Sequence, residues 1–476
     1  MQQKLNILFI AAEADPFIKV GGLGDVAGSL PRALHQVKNN VTLDVRLVIP
    51  FHSTIRTESL DLKREAVFTL PRADGPVPVQ VFSVESGGVP VYLIAGEPIS
   101  AYPEVYTPDT RADGFKYTFF SLAALELARV LGWRPDIIHA NDWHTAPAVY
   151  ALRLMRDRDD FFAKTRSVLG IHNLVYTGKG ASDALYAYGL PPVLDGSLPD
   201  WAEHVPLALG LWAADSLAAV SPTYAQEILT PEFGAGLDAY LRTRREVITG
   251  IVNGIDESMW DPSTDAALPA NFDANTLDLR AENKAALQAR FGLAKDPSVP
   301  LLAMVTRMDP QKGVDIALDA LRLLPDLPWQ AVILGTGVNF VEEAARRLEA
   351  DLPDRVCAII RYDGKLSRQI YGGADLFLMP SRYEPCGLSQ MIAMRYGCVP
   401  LVRATGGLRD TVQDGQTGFV FDGRSPEAMS ECLRRALQFF GDKPAWRKMQ
   451  QNGMAQDFSW DKSAHEYLKL YLSLIP

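Results

Sequence analysis

The stretch NILFIAAEADPFIKVGGLGDVAGSLPRALH, residues 6–35, sets the fold. Asn6–Ala11 is a short apolar run suited to a buried strand, and Ala27–His35 carries apolar residues at helical spacing. Between them stand a lone lysine, Lys19, the glycines Gly21, Gly22 and Gly24, and Asp25. Strand, glycine turn and helix in this order open a doubly wound α/β sheet. Glycines ahead of a helix let backbone N–H groups and the helix N-terminus approach an anion, typically a phosphate. A tight turn beside a solvated lysine is the plain alternative. The G-x-G-x-x-G spacing is absent, which counts against a nicotinamide oxidoreductase.

The same alternation continues along the chain. Further strands are expected at Asp44–Ile49, Val79–Val84, Val89–Ile94, Ile137–Ala140, Ser167–Gly170 and Leu217–Val220. A second series runs through Leu301–Thr306, Gln330–Leu334, Val356–Ile360, Leu376–Met379, Val399–Val402 and Gly418–Phe421. Helical patterns lie between them, which predicts a parallel sheet in each half. The series breaks between about Val247 and Pro300, in a segment rich in Asp, Asn, Pro and Ser. Two doubly wound domains of similar size follow, and the default ligand site is the cleft between two such sheets, beyond the carboxyl ends of their strands.

With 476 residues, two domains are the natural division. The composition, 47% hydrophobic and 22% charged, is that of a globular chain, and the net charge of -10 argues against nucleic acid or an acidic membrane as the main partner. No apolar run is long enough for a transmembrane helix, and the N-terminal run does not read as an export signal. Cys357, Cys386, Cys398 and Cys432 contain no CxxC pair and read as reduced thiols of a cytosolic protein.

Five clusters fall at strand ends. The first is the Lys19–Asp25 turn. The second is HANDWH, residues 139–144, where Asp142, Trp143 and His144 offer a carboxylate, a stacking face and an imidazole. These groups suit a polyol. A metal held by His139, Asp142 and His144 is the weaker alternative, since no further ligand-rich segment completes it. Capping of the next helix by Asp142 is the structural one. The third is GIHNLVYTG, 170–178, with His172 and Asn173. In the fourth, TRMDPQKG at 306–313, Arg307 and Lys312 stand before a helix whose dipole repels cations, so they fit better as a clamp on a diphosphate. The fifth, PSRYEPCGL at 380–388, places Glu384 after a strand, with Cys386 near the start of a helix expected from about Gly387. Gly406 and Gly407 then repeat the opening device before another helix.

Together these motifs resemble the ordered blocks of bacterial glycogen synthases and plant starch synthases. The blocks are KVGGLGDV, HANDWH, GIHNLVYTG, AVSPTYAQEI, VNGID with WDPSTD, RMDPQKG, GADLFLMPSRYEPCGL and ATGGLRDTV, and the match runs from about Asn6 to Trp460. The resemblance implies the GT-B fold, two Rossmann-like domains across a deep cleft: 1–249 on the glucan acceptor side, 250–457 for ADP-glucose, and a C-terminal helix, 458–476, crossing back to the first. It implies an ADP-glucose:1,4-α-D-glucan 4-α-D-glucosyltransferase that retains anomeric configuration, is cytoplasmic, and needs no metal or other cofactor. Its partners would be ADP-glucose and an α-1,4-glucan. Lys19, Gly21, Gly22 and Asp25 would lie by the diphosphate and the transferred glucose. Arg307 and Lys312 would hold the phosphates. Glu384, with Cys386, Gly387 and Leu388 alongside, would bind glucose hydroxyls, and His172 and Asn253 would reach the same sugar. Asp142 would serve the acceptor side, Tyr362 would stack on adenine, and Thr405, Gly406 and Gly407 would complete the donor site.

The sequence departs from the family pattern in HVPLALGLWAAD, 204–215, which lacks the usual lysine, and in GLPPVLDGSLPDWAE before it. Lys116 also stands where arginine is commoner. These changes bear on the acceptor more than on the donor. Two rival readings stay open on the residues: a related transferase with another donor or acceptor, and a non-catalytic glucan-binding protein on the same fold.

Overall fold

Residues 3–36 form strand β1 (Gln3–Ile10), a loop and a helix over Gly22–Gln36 in the computed structural model, which describes residues 3–38 and 40–475. The helix starts at Gly22, ahead of the expected Ala27, because the glycine pair itself makes its first turn. Leu23, Val26, Ala27, Leu30 and Leu34 share its buried face. Gly28 must be glycine, since a Cβ there would lie 2.3 Å from the Asp15 carbonyl oxygen. The chain divides into two units. One runs up to Gly254 and takes in the segment from Trp460, and the other is Ile255–Ser459.

The first unit continues with β2 (Val41–Pro50), β3 (Lys63–Leu70), β4 (Val77–Ser86), β5 (Val89–Ala95), β6 (Ile137–Asn141), β7 (Arg166–Ile171), β8 (Ser216–Ala219) and β9 (Ile248–Gly250). Among the described residues the sheet order is β3-β4-β5-β2-β1-β6-β7-β8-β9. From β5 to β9 the strands are parallel, and the order reverses between β1 and β6. The expectation of a wholly parallel sheet fails at one end, where β3, β4 and β5 pair antiparallel. β4 and β5 form a two-residue hairpin through Gly87 and Gly88, at φ 59 and φ 82. Positive φ at both turn positions matches the twist of the flanking strands and needs glycine.

β9 carries the exit of the chain past the expected 249/250 boundary, and Ile251 N–H donates to the Ala219 carbonyl at 2.9 Å. The helix Trp460–Leu474 packs on Gly22–Gln36 and puts Trp460, Ala464, Tyr467 and Tyr471 into the first core. The segment 204–215, read above as lacking a lysine, folds as a buried apolar helix, Pro206–Ala213. Gly210 there lies so near Ala146 that a Cβ would meet its methyl at 2.6 Å.

The second unit holds β10 (Leu301–Val305), β11 (Gln330–Gly335), β12 (Val356–Ile360), β13 (Leu376–Met379), β14 (Val399–Arg403) and β15 (Phe419–Phe421). Its order is β12-β11-β10-β13-β14-β15, all parallel, with the reversal between β10 and β13. Helices cover both faces, which is why these strands read as continuous apolar runs.

Candidate active site

In open α/β sheets ligands bind past the carboxyl ends of the strands where the order reverses. In the first unit that point is the loop after β1. Its centre is Glu13, 1% exposed. The Glu13 carboxylate accepts the N–H of Val20, the N–H of Gly21 at 3.1 Å and the hydroxyl of Tyr106 at 3.0 Å. Burial raises its pKa despite these donors. The Gly21 amide is therefore already taken by a carboxylate. Gly22 stays exposed, with nothing within 4 Å of where a Cβ would stand. Lys19 pairs with Asp25, Nζ to Oδ1 2.6 Å, and its side chain is 40% exposed.

The end of β6 forms the other side of this point. Asn141 Nδ2 donates to the Ile10 carbonyl at 2.9 Å, so its Oδ1 must accept, at 2.8 Å, from His172 Nε2. This fixes His172 as the Nε2–H tautomer and leaves Nδ1 with a lone pair. Burial pushes the imidazole pKa down to about 4, so the ring is neutral. Asp142 has φ 55, a backbone conformation that costs energy outside glycine. It does not cap its helix. Its Oδ1 accepts the N–H of His172 at 2.8 Å and of Asn173 at 3.2 Å, tying the end of β6 to the end of β7. Burial outweighs those amides, and the Glu13 charge adds to it, pushing the carboxyl up to about 7.

His144 is packed among Trp143, Tyr106 and Tyr117, with ring centroids 4.3–4.7 Å away. The His139 Nδ1 meets the Tyr471 hydroxyl at 2.6 Å. His139, Asp142 and His144 thus turn to separate partners, and among the described residues no group of His, Cys, Asp and Glu converges as a metal site. Asn253 is buried, and its Oδ1 has no hydrogen-bond partner. Lys116 is 0% exposed and satisfies all three donors, on Asp113 Oδ1 (3.0 Å) and the carbonyls of Glu104 (2.9 Å) and Val105 (3.2 Å). It is a strut, and it anchors the loop that carries Tyr106.

In the second unit, Lys312 follows β10 in a short turn that Asp309 caps through the Lys312 N–H, at 3.1 Å. Its Nζ donates to both oxygens of Glu384, at 2.9 and 2.7 Å, and the Ser381 hydroxyl adds a third contact at 3.0 Å. The two side chains are 19% and 6% exposed. The next residue, Gly313, has φ 64, and a Cβ there would meet the Pro380 carbonyl oxygen at 2.2 Å. That close approach brings the turn against the Glu384 loop. Arg307 is more open, its guanidinium 3.3 Å from Asp309 with the side chain 60% exposed. A cavity of about 60 Å³ lies beside the pair, lined by Thr306, Lys312, Ser381, Glu384, Gly387 and Leu388 among others.

Gly406 and Gly407 serve packing. A Cβ on Gly406 would lie 1.9 Å from the Glu384 carbonyl oxygen, and the Gly407 N–H donates to the carbonyls of Glu384 and Pro385 at 3.1 and 3.2 Å. Thr405 is buried beside them. The expectation of a second anion-ready helix N-terminus therefore fails at Gly407, whose amide braces the Glu384 loop. Cys386 is buried, as the packed-turn reading requires, and the following helix begins at Ser389, after Gly387 and Leu388. Tyr362, past the end of β12, is 88% exposed.

Sequence reasoning missed Glu13, Tyr106, Asn141 and Ser381. Glu13 carried one usable signal, an acidic residue directly after an apolar strand and within a loop of the glycines.

Two Rossmann-like units, each with its polar cluster at the reversal point, match the domain type of the GT-B class of glycosyltransferases. The family model for the starch synthase catalytic domain matches residues 6–243, and that for glycosyl transferases group 1 matches 287–454. A glycogen synthase of Anaeromyxobacter sp. (strain Fw109-5) is 44% identical, covering 99% of this chain and 99% of its own. One from Thermotoga maritima is 39% identical over 98% of each. The catalytic domain of Starch Synthase IV from Arabidopsis thaliana, solved bound to ADP and acarbose, superposes with a TM-score of 0.89 at 33% identity, covering 99% of this chain and 100% of that one. A sucrose-phosphate synthase from Thermosynechococcus elongatus, at 19% identity and TM-score 0.63, shares the fold. The chain belongs to the glycogen and starch synthase family, and its activity is that of a glucosyltransferase of this family.

Proposed function

We propose that the chain transfers glucose from ADP-glucose to the non-reducing 4-OH of an α-1,4-glucan, with retention and without a metal ion, in the cytoplasm. The observation that carries the donor assignment is the Lys312–Glu384 pair. Two of the three Lys312 N–H groups go to Glu384, which leaves one for a phosphate oxygen, while the open Arg307 supplies a bidentate donor. Fixed cations of this kind stabilise charge as it develops on a departing diphosphate. The Arabidopsis relative, solved with ADP and acarbose, supports a nucleotide and a glucan as the two ligands.

Glu384, oriented by Lys312 and Ser381, accepts from glucose hydroxyls. His172 offers its Nδ1 lone pair to another, and Lys19 with the Gly22 amide serves the transferred glucose and its phosphate. Asp142 acts on the acceptor side, and Tyr362 stacks on adenine. Glu384 and Asp142 are both held by several donors, so neither stands ready as a covalent nucleophile, which supports attack on the face that ADP leaves. The scarcity of cysteines, four in 476 residues with no CxxC pair, supports a reducing compartment. The deciding experiment follows labelled glucose into glycogen from ADP-glucose and, in parallel, from UDP-glucose. Preferential transfer from ADP-glucose with stoichiometric ADP release is expected. Preference for UDP-glucose would overturn the donor assignment, and glucan binding without nucleotide release would overturn the activity.

A further inference from the structure

Glu13 is a buried carboxylate with three donors, and they come from two different segments. The Val20 and Gly21 amides belong to the turn that carries Lys19, and the Tyr106 hydroxyl belongs to the loop before helix Thr110–Val130. That loop is itself rigid. Lys116 holds the carbonyls of Glu104 and Val105, and the Asp113 carboxylate accepts the Thr107 N–H at 2.9 Å. Gly24 shows how tightly the parts meet. A Cβ there would lie 2.9 Å from Lys19 Cγ and 3.2 Å from Glu13 Oε2, so the lysine stem and the carboxylate flank the same point. The Lys19 head, by contrast, is held among the described residues by the partly exposed Asp25.

We infer that Glu13 is a positioning residue for the reaction: it fixes the Lys19 turn, and through Tyr106 it ties that turn to the 104–107 loop. A flexible lysine on an unfixed turn would spend little time in reacting geometry, and misplacement by about 1 Å can cost on the order of 10²-fold in rate. The inference rests on the proposed role of Lys19.

The test is a double-mutant cycle on the full chain, with kcat for glucose transfer from ADP-glucose to glycogen as the readout and circular dichroism as a check on folding. Glu13→Gln keeps the volume but turns a second acceptor oxygen into an N–H that opposes the Val20 and Gly21 amides. It is expected to lower kcat by about tenfold or more. Because Glu13 acts through Lys19, Glu13→Gln in a Lys19→Ala background is expected to cost less than about threefold further. Tyr106→Phe removes one donor and keeps the ring. It is expected to cost about threefold in the wild-type background and nothing measurable in Lys19→Ala, which keeps the inference testable should Glu13→Gln not fold. Losses that multiply in the double variants would overturn the inference, because a merely structural role is additive. Wild-type kcat in Glu13→Gln beside an impaired Lys19→Ala would overturn it alone. Wild-type kcat in Lys19→Ala would remove the Lys19 role and the inference with it.

Discussion

His172, past the end of β7, and Lys312, past the end of β10, both lie beyond the carboxyl ends of strands and have opposite chemistry. At the first edge burial disfavours charge on His172 and Asp142. His172 stays neutral with its pKa at about 4, and the Asp142 carboxyl is pushed up to about 7. At the second edge Lys312 and Glu384 are locked together by two short hydrogen bonds, with Arg307 open to one side. Neutral donors and acceptors suit hydroxyl groups, and fixed cations suit a diphosphate. One repeated architecture thus presents two kinds of chemistry, and the difference lies in burial and partner choice rather than in strand order. The sequence divides the same way: all seven histidines lie outside Ile255–Ser459 and all four cysteines lie inside it.

The largest expected effect separates the two units by pH. His52, His139, His144 and His172 are pushed by burial to about 4, 3, 3 and 4, below their ordinary 6.5. Below pH 6.5 the unfolded chain binds protons that the folded one refuses, so stability falls as the pH drops toward 5. Asp142, raised to about 7, opposes this, as do Glu13 and Asp113, which burial also raises, against four histidines. The first unit is expected to lose several kcal/mol between pH 6.5 and 5, and the second to lose none by this route. Hydrogen exchange by mass spectrometry in urea at both pH values checks it, and earlier opening of the second unit would break the contrast.

Lys312→Ala comes next, with kcat/KM for glucose transfer down about 10³-fold at unchanged circular dichroism. Unchanged turnover would remove the phosphate assignment. Lys116→Met removes three buried hydrogen bonds, leaves Asp113 with the Thr107 N–H but no cation, and is expected to destabilise the first unit by about 3 kcal/mol, read from denaturant unfolding. A loss below about 1 kcal/mol would show that Lys116 is no strut. The smallest is Tyr362→Ala. Loss of an exposed stacking platform is expected to raise the ADP-glucose KM about tenfold with kcat nearly unchanged. A fall in kcat at constant KM would contradict the adenine role.

Much of this was legible. Strands buried on both faces are plain apolar runs, and strands such as Val356–Ile360 and Leu376–Met379 end where the pattern ends. β3 was not legible, because an edge strand facing solvent over most of its length, KREAVFTL, has too few apolar residues to show. The β4–β5 hairpin had a signal in Gly87–Gly88, and the habit of reading α/β alternation as parallel masked it. At the site, Lys19, Asp142, His172, Lys312 and Glu384 stood out because polar residues directly after apolar strands are conspicuous. Glycines gave a mixed return. Gly22 is open at a helix start, whereas Gly406 and Gly407 exist so that the Glu384 loop can approach. Composition cannot tell those uses apart, because both need a missing Cβ. Glu13 and Tyr106 were hidden for another reason: their partnership spans 93 residues and appears only when the chain is folded.

The central claim is the proposed division in which Lys312 of the second unit contacts the diphosphate while Asp142 of the first serves the sugar acceptor. Calorimetric titration of ADP into the wild type, Lys312→Ala and Asp142→Asn tests it most directly. The account predicts that Lys312→Ala weakens ADP binding about tenfold or more, a charge-assisted contact of about 1.4 kcal/mol or above, and that Asp142→Asn leaves it within about twofold. Equal weakening in both variants, or wild-type ADP affinity in Lys312→Ala, would contradict it.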